Sequence, residues 1–281
     1  MNAPAPPPLS PDDLRRFCDF LYARTGMQFG ENKRYYIERR LYDRLAETGE
    51  ASFAAYFIRL RADPDEAAKA VNSFTVNETY FYREDKQLRC LSGDILPRIA
   101  EGKEPGGKIR IWSVPCATGE EPYSIALWLL ENWRMVDAYN IEIVGSDIDT
   151  AALAAARAGR YAARSLSRLP EHVVHDYFEP AGRGAYHIIP DLTESVSFTE
   201  ANLVDRTSMT AHGLFDVIFC RNVLIYFDDE SRAKAAEGLF AALVPGGFVC
   251  LGHTESMTRI SDRFEARRFA DAIVYQRPRA G

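Results

Sequence analysis

The chain has 281 residues, of which 47% are hydrophobic and 26% charged, a balance that is ordinary for a soluble globular protein with one large domain or two. Its formal net charge of -6 argues against a general nucleic-acid binder, because such proteins gain affinity by neutralising phosphates with basic side chains. The five cysteines are dispersed without a CxxC or metal-ligand spacing, which predicts reduced thiols in a cytoplasmic protein.

The chain begins with a segment, residues 1–9, whose prolines and alanines predict a disordered tail and not a signal peptide. Ser10 and Pro11 then form a helix-start signal, since one supplies a capping hydroxyl and the other suits the first helical position. Apolar residues recur at helical spacing over residues 10–26, about 32–47, 52–61 and 64–74. Residues 10–75 are therefore predicted to form an all-helical domain, and no stretch is long and apolar enough to cross a bilayer.

From residue 76 onward, short β-rich runs alternate with helical stretches. Strands are expected over residues 108–114, 141–146, 196–198, 215–219, 247–251 and 272–275, and helices over 121–133, 150–158 and 231–243. This alternation predicts an α/β domain over residues 76–281, with a mostly parallel sheet covered on both faces. The alternation of strands and helices is interrupted over residues 161–195, where the runs 173–178 and 185–189 predict a small β-rich insertion.

The loop after the first strand, Val114–Ser124, is the first candidate ligand site, because open parallel sheets bind ligands at the carboxyl ends of their strands. It contains one glycine and lacks the GxGxxG pattern of dinucleotide sites. Glu120 and Glu121 would repel a pyrophosphate, but they suit a ligand with an ammonium and a sulfonium, such as S-adenosylmethionine. The alternative is that Glu121 only complements the positive end of the following helix.

Two further strand ends supply polar groups to the same edge. Asp147 follows the second strand, where an acid commonly hydrogen-bonds the ribose hydroxyls of an adenine nucleotide in dehydrogenases and methyltransferases alike. Asp149 could equally cap the next helix. The segment Glu200–Leu203 could frame an adenine ring, and Asn222 lies at a fourth strand end.

Four motifs have a characteristic order and spacing: Asn77–Arg83 (NETYFYR), Ala117–Ser124 (ATGEEPYS), Gly145–Asp149 (GSDID) and Phe219–Phe227 (FCRNVLIYF). In these motifs, and in the closing segments Pro245–Gly247 and Gly252–Glu255, the chain resembles the CheR family of chemotaxis receptor methyltransferases over nearly its whole length. The resemblance implies a class I S-adenosylmethionine-dependent methyltransferase fold, Rossmann-like, with an N-terminal all-helical domain and a small β subdomain inserted at about 161–195.

The resemblance also implies a reaction: methyl transfer from S-adenosylmethionine to glutamate carboxylates of bacterial chemoreceptors, which gives methyl esters and S-adenosylhomocysteine and serves sensory adaptation. It implies cofactor contacts at Asn77, Thr79, Arg83, Glu121, Asp147, Asn202, Leu203, Arg221 and Asn222. Catalytic roles are implied for Arg83, Arg221 and Tyr226. No metal is implied.

The reaction needs little from acid–base groups. A glutamate, with an ordinary pKa of about 4.3, is already ionised at neutral pH and can attack the methyl group without a general base. Alignment and removal of water would supply most of the acceleration, and well-oriented pairs gain roughly 7 to 11 kcal/mol. Arg83 or Arg221 could position the incoming carboxylate, and Tyr226 could stabilise the sulfonium. Each also has a structural alternative, as an ion pair or a core aromatic.

The partner is expected to be the cytoplasmic helical bundle of a chemoreceptor. Docking is predicted at Lys33, Arg34, Arg40 and Arg44 of the second helix, where a basic face would suit acidic methylation helices. A merely solvated face is the alternative. The β subdomain corresponds to the family element that in some members binds a receptor C-terminal tether. Its turn, at about 180–185, is short, which predicts a tether-independent enzyme.

Four other classes of function compete with this one. A methyltransferase of small molecules and a module that binds S-adenosylmethionine without turnover stay as alternatives. A nicotinamide oxidoreductase is disfavoured by the acidic loop, and nucleic-acid methylation by the net charge and the lack of an Asp/Asn-Pro-Pro-Tyr/Phe motif. His172 and His175 lack carboxylate or cysteine companions and are expected on the surface. A monomer is expected.

Overall fold

A computed structural model describes residues 9–30 and 33–279. Its N-terminal part contains α1 (Pro11–Thr25), α2 (Arg34–Thr48), α3 (Phe53–Ala62) and α4 (Pro64–Asn72), which confirms the four expected helices. Local capping explains three of the starts, because the side chains of Ser10, Ser52 and Asp63 accept hydrogen bonds from backbone N–H groups of α1, α3 and α4. Asn32, the predicted start of the second helix, and residues 1–8 of the predicted tail lie outside the described residues.

The four helices share an apolar core that includes Phe17 and Tyr56, and Leu9 is also buried in it. An ion pair joins α2 to α4 within this core. Arg44 donates to the carboxylate of Glu66 from Nε at 3.0 Å and from Nη2 at 2.6 Å, and Tyr56 Oη donates to the same carboxylate at 2.8 Å. The core of the helical unit therefore contains a fully paired polar group, as burial of a charge requires.

Residues 85–100 form a helical segment that joins the N-terminal helices to the sheet. It consists of α5 (Asp85–Cys90), a π-helical turn (Leu91–Ile95) and α6 (Leu96–Ala100). The strands that follow are β1 (Lys108–Ser113), β2 (Asn140–Asp147), β3 (Arg160–Ala162), β4 (Phe178–Pro180), β5 (Ala185–Ile188), β6 (Val196–Glu200), β7 (Phe215–Cys220), β8 (Leu243–Leu251), β9 (Glu265–Arg268) and β10 (Ile273–Gln276). The helices among them are α7 (Glu120–Asn132), α8 (Thr150–Ala158), α9 (Glu171–Tyr177), α10 (Pro190–Ser195), α11 (Arg206–Thr210) and α12 (Asp229–Ala242).

The main sheet has the order β6-β2-β1-β7-β8-β10-β9. Its first five strands are parallel, whereas β10 is antiparallel to both of its neighbours. Core residues lie on both faces: along β7, Val217 and Phe219 belong to one apolar cluster, and Ile218 and Cys220 to the other. The predicted α/β architecture is confirmed, and the one clear shift is that β8 begins at Leu243, where a helix was expected to end.

A second sheet is inserted between α8 and α10. Its strands β3, β5 and β4 pair antiparallel in that order. The prediction of β structure over residues 173–178 is wrong for most of that run, since residues 171–177 form α9 and the strand begins at Phe178. The apolar spacing of Val173 and Val174 is compatible with a short helix that buries one side, and short apolar runs do not distinguish the two states.

Two smaller expectations concern the surface and the thiols. His172 and His175 are exposed on α9, as expected. The expectation that they lack carboxylate neighbours is wrong, because His172 lies 3.1 Å from Glu131 and His175 lies 2.7 Å from Asp176. All five cysteines are free; Cys90, Cys116, Cys220 and Cys250 are buried. Across the described ranges, no helix combines the length and the apolarity that a bilayer-spanning segment needs.

Candidate active site at the carboxyl edge of the sheet

Two adjoining cavities open at the carboxyl ends of β1, β2 and β7. The larger one, here called the main cavity, has a volume of about 230 Å³ and is lined by Thr79, Arg83, Glu121 and Arg221, among others. The smaller one, here called the small cavity, has a volume of about 80 Å³ and is lined by Asn77, Asp147, Asn202 and Leu203, among others. Residues common to both linings, Val76, Pro115, Ala117, Asn222 and Tyr226, make them two parts of one cleft.

Arg221, directly after β7, is the central charge of the main cavity. Its side chain is 3% exposed, and its Nη1 lies 3.0 Å from Oε2 of Glu121. Its Nη2 donates to the carbonyl oxygen of Arg83 at 2.6 Å and lies 3.5 Å from Oε2 of Glu84. Its Nε is buried and has no hydrogen-bond partner among the residues that the structure describes. One donor of this guanidinium is therefore left for a bound group, since buried donors are otherwise almost always paired.

The two glutamates of the cofactor loop face different cavities. Glu121 lines the main cavity, accepts a hydrogen bond from Ser113 Oγ at 2.8 Å and pairs with Arg221. Burial raises its pKa, and Arg221 opposes that shift. Glu120 is buried on the other side, where Thr118 Oγ1 donates to it at 2.6 Å. Only Glu121 therefore presents its carboxylate to the cleft. The expectation that both glutamates face a cationic ligand is wrong for Glu120.

Asp147 lines the small cavity at the end of β2. Its Oδ2 accepts from the backbone N–H of Ala117 at 2.8 Å, and its Oδ1 accepts from that of Asp149 at 2.9 Å. Burial raises the pKa of Asp147 to about 6, although these backbone hydrogen bonds oppose the shift. The carboxylate thus holds the β1–α7 loop against the β2–α8 loop, while each oxygen keeps a second lone pair for a ligand.

The alternative considered for Asp149 is confirmed: it caps α8. Its Oδ1 accepts from the N–H groups of Ala151 and Ala152. Its Oδ2 accepts from Asn77 Nδ2 at 2.8 Å. Asn77 is therefore tied to the start of α8, which places the NETYFYR segment along the rim of both cavities.

Asn202 and Leu203 lie at the far end of the small cavity. Leu203 is buried, whereas Asn202 Nδ2 donates to the carbonyl oxygen of Arg24, at 2.6 Å, near the end of α1. The N-terminal helices therefore form part of the wall of the cleft. Sequence analysis had no signal for this contact, because the two residues are 178 positions apart.

Arg83, Thr79 and Tyr226 line the main cavity close to the exposed Glu78, which marks the mouth of the cavity. Arg83 Nη1 donates to the carbonyl oxygen of Glu78, and its guanidinium carbon lies 5.8 Å from the ring centre of Tyr80. Tyr226 lines both cavities, and burial raises the pKa of its hydroxyl. The structure thus brings together the residues expected to bind the cofactor and those expected to be catalytic.

Glu255 is a residue that sequence analysis named only as part of a matching segment. Its carboxylate accepts four backbone N–H groups, from Asn222 and Gly252 at Oε2 and from Val223 and Leu224 at Oε1, at 2.8–2.9 Å. Asn222 has a φ of 59°, a left-handed conformation that is unfavourable for a residue with a side chain. Glu255 therefore holds the turn that carries Arg221, Asn222 and Tyr226.

Glu84 links the same turn to the mouth. Its Oε1 pairs with His253 Nδ1 at 2.9 Å and lies 3.4 Å from Asn222 Nδ2. Burial raises the pKa of Glu84, but Arg221 and the hydrogen bonds from His253 and Asn222 outweigh burial and leave the pKa below its ordinary value. This second carboxylate thus stays ionised and neutralises the buried Arg221 from the side opposite Glu121.

The four residues predicted to dock a partner are not equivalent. Lys33 is exposed near the start of α2, and Arg34 pairs with Glu38 at 2.9 Å. Arg40 lies over the Tyr36 ring, 3.7 Å from its centre, and donates to a backbone carbonyl. Arg44 is 9% exposed and bound to Glu66, so the prediction that it takes part in docking is corrected.

The sheet order, with β10 antiparallel beside β8, and the acidic loop at the carboxyl edge of the sheet define a class I S-adenosylmethionine-dependent methyltransferase. Residues 12–75 match the family described as CheR methyltransferase, all-alpha domain, and residues 77–273 match CheR methyltransferase, SAM binding domain. The chain therefore belongs to the CheR methyltransferase family, and the resemblance read from the four motifs is confirmed.

Three chemotaxis protein methyltransferases are similar to this chain over most of its length. Chemotaxis protein methyltransferase 2 of Vibrio cholerae is 46% identical over 271 residues, which cover 96% of this chain and 94% of the relative. Chemotaxis protein methyltransferase 2 of Pseudomonas aeruginosa is 36% identical, with 89% and 88% covered. Chemotaxis protein methyltransferase of Vibrio parahaemolyticus is 34% identical, with 95% and 98% covered. In the described part of this chain, no three His, Cys, Asp or Glu side chains cluster as metal ligands.

Proposed function

We propose that this protein methylates glutamate side chains of chemoreceptors, with S-adenosylmethionine as the methyl donor and sensory adaptation as the purpose. The observation that carries the proposal is the arrangement of charge in the main cavity. Inside, the two carboxylates of Glu121 and Glu84 outnumber the one buried cation, Arg221. A second cation, Arg83, lies at the mouth, where it donates to the carbonyl oxygen of the exposed Glu78. That order suits a cationic donor held within and an anionic acceptor that arrives from outside.

The cleft fits S-adenosylmethionine in its donor set. Glu121 would bind the methionyl ammonium, and the unpaired Nε of Arg221 would bind the methionyl carboxylate. The free lone pairs of Asp147 would accept the ribose hydroxyls, and Leu203 would pack on the adenine. The remaining cofactor contacts of the proposal come from residues that line the same cleft: Asn77, Thr79, Asn202 and Asn222.

The bound donor supplies an electrophilic methyl group on a sulfonium. The protein's own residues would then position the acceptor and exclude water. Arg83 holds the incoming glutamate carboxylate, and Tyr226 closes the cleft with its ring beside the reacting atoms. No general base is needed, because the acceptor is ionised at neutral pH. Arg221 acts through the alignment of the donor, a contribution that can reach roughly 7 to 11 kcal/mol for the reaction as a whole.

The receptor would approach over the N-terminal part of α2. This part of α2 lies near the cleft, because Tyr36 is close enough to Tyr226 to help raise the pKa of its hydroxyl. Lys33 and Arg40 supply positive charge there. Lys33→Glu/Arg40→Glu should raise the KM for receptor, with Arg39→Glu/Arg61→Glu, a double charge reversal at exposed positions of α2 and α3, as the matched control. Unchanged receptor methylation by the double variant would dispose of this docking surface.

Three finer points belong to the same proposal. The turn between β4 and β5, residues 181–184, is short, and the enzyme is proposed to act without a receptor tether. Binding of a receptor C-terminal pentapeptide, measured by calorimetry, would refute that. The protein is proposed to act as a cytoplasmic monomer and to divide into a helical domain (10–75) and a methyltransferase domain (76–281) with its β subdomain at about 161–195.

The test is a methyl-transfer assay on a receptor cytoplasmic fragment with methyl-labelled S-adenosylmethionine. Label released as methanol by mild base would establish carboxyl methyl esters. A fragment whose acceptor glutamates are replaced by alanine is the control and should take up no label. If a competent receptor stays unlabelled, the proposed substrate is wrong, and turnover on small molecules or binding without turnover become the better explanations.

A further inference from the structure

A third cavity adjoins the main cavity, and its basic side chains have no role in the proposed reaction. It has a volume of about 690 Å³, and Arg160, Arg164 and Arg168 lie in its wall; it is called the arginine cavity below. Glu78, Thr79 and Tyr80 line both this cavity and the main one. One short segment therefore separates the two cavities.

The three arginines follow one another closely in the sequence. Arg160 lies on β3, Arg164 in the 3₁₀ turn that follows (Ala163–Leu166), and Arg168 just beyond it. All three are exposed. Among the described residues, no carboxylate lies within 4.0 Å of any of them, and none donates a side-chain hydrogen bond. By contrast, Arg157, close by in sequence, donates to the carbonyl oxygen of Phe198.

The charge of the arginine cavity is positive on balance. Its acidic residues are Glu78, which is exposed, and Glu120, which is buried and bonded to Thr118. Burial also raises the pKa of Glu120, so its carboxyl group ionises less readily and attracts a neighbouring cation less strongly. The guanidinium groups therefore face open space with free donors, the arrangement that recognises carboxylates or phosphates.

The cavity is fixed in place relative to the reaction site. Tyr161 Oη donates to the carbonyl oxygen of Thr118 at 2.9 Å, and Phe81 N–H donates to the carbonyl oxygen of Ser165 at 3.0 Å. The ring of Phe81 packs edge-on against Tyr161, with ring centres 4.8 Å apart. These contacts join β3 and its 3₁₀ turn to the cofactor loop and to the segment that carries Arg83, which fixes the spacing of the two cavities.

We propose that the arginine cavity binds a second carboxylate of the same substrate helix, one or two turns from the glutamate that is methylated. This inference rests on the proposed function. On a helix, acidic side chains three, four or seven positions from the target lie about 5 to 11 Å along the axis, on the same face. An adjoining basic cavity selects target glutamates that have such acidic neighbours, and it disfavours isolated ones.

The test compares two enzymes on two substrates. The enzyme variant is Arg164→Ala/Arg168→Ala, and the matched control is Arg61→Ala/Arg134→Ala, which removes the same charge at exposed positions away from the cleft. The substrates are a receptor cytoplasmic fragment and the same fragment with the acids within two turns of the target changed to glutamine. Initial rates give KM and kcat, and calorimetry gives the affinity for S-adenosylhomocysteine.

The variant should raise the KM for the unmodified fragment by about tenfold or more, with a smaller effect on kcat. The loss should be absent with the glutamine-flanked fragment, and Arg164→Lys/Arg168→Lys should recover part of it. Equal KM values for the variant and the control pair would overturn the inference and leave the proposed function intact. So would a loss that persists on the glutamine-flanked fragment. If the wild-type enzyme, with normal S-adenosylhomocysteine affinity, labels neither fragment, the proposed function fails and this inference with it.

Discussion

Glu255→Gln should destabilise the protein and disable its active site. The substitution only replaces one carboxylate oxygen with an amide nitrogen and hardly changes the size or shape of the side chain. Each carboxylate oxygen of Glu255 accepts two backbone N–H groups. Glutamine can offer only one oxygen, so its amide nitrogen would face two N–H donors that then lack an acceptor. An unsatisfied donor costs about 1 to 3 kcal/mol, and the half-burial of Glu255 favours the lower part of that range. The free energy of unfolding should therefore fall by about 2 to 4 kcal/mol.

The functional consequence follows from the turn that Glu255 holds. Once two N–H groups are released, the left-handed conformation of Asn222 loses its support, and Arg221 and Tyr226 lose their fixed positions. Urea unfolding gives the stability, and methyl transfer at saturating substrates, under conditions where the variant is folded, gives kcat. Glu237→Gln, an exposed change on α12, is the control. A variant with the stability and kcat of this control would refute the reasoning, and a loss of stability without a loss of kcat would refute the positioning role.

Three further outcomes are expected. Arg83→Ala should stay folded and lose roughly 10- to 100-fold in kcat, since a charge-assisted hydrogen bond contributes about 1.5 to 3 kcal/mol, and near-normal initial rates would count against its role. Burial raises the pKa of Asp147 to about 6. The ionised carboxylate is the better acceptor for the ribose hydroxyls, so the affinity for S-adenosylhomocysteine should weaken as the pH is lowered from about 7 to about 5. Calorimetry should show a weaker dependence of this affinity on pH for Asp147→Asn. Arg44→Ala should cost about 3 to 5 kcal/mol in urea unfolding, because it leaves Glu66 buried without its partner, whereas Arg39→Ala on the same helix should cost little.

Much of the candidate site could be predicted because its residues belong to short contiguous motifs. The segment Asn77–Arg83 and the loop that contains Glu121 keep their spacing in any fold, and the carboxyl edge of a parallel sheet brings such loops together. What motif spacing could not predict is which of two adjacent glutamates faces the cleft. Successive residues at a helix start point about 100° apart, so Glu120 and Glu121 reach different cavities.

The same limit applies to residues that pair across the fold. Arg44 looked like a surface charge because α2 is rich in charges, but its partner Glu66 comes from another helix and buries it. Glu255 supports residues 222–224 from the next strand end, and Arg160, Arg164 and Arg168 face the reaction site only because the small sheet packs on the segment beside it. No local pattern records these juxtapositions.

Most helix starts and the mostly parallel sheet could be predicted from the sequence itself. Ser10, Asp63 and Asp149 cap helices through bonds to residues two or three positions away, and alternation of β-rich and helical runs predicts a parallel sheet. Such interactions are short in range and depend on neighbouring residues alone. Which charges are buried, paired or left free depends on elements far apart in sequence, because burial and electrostatic pairing are set by distances in space that only the packed molecule defines.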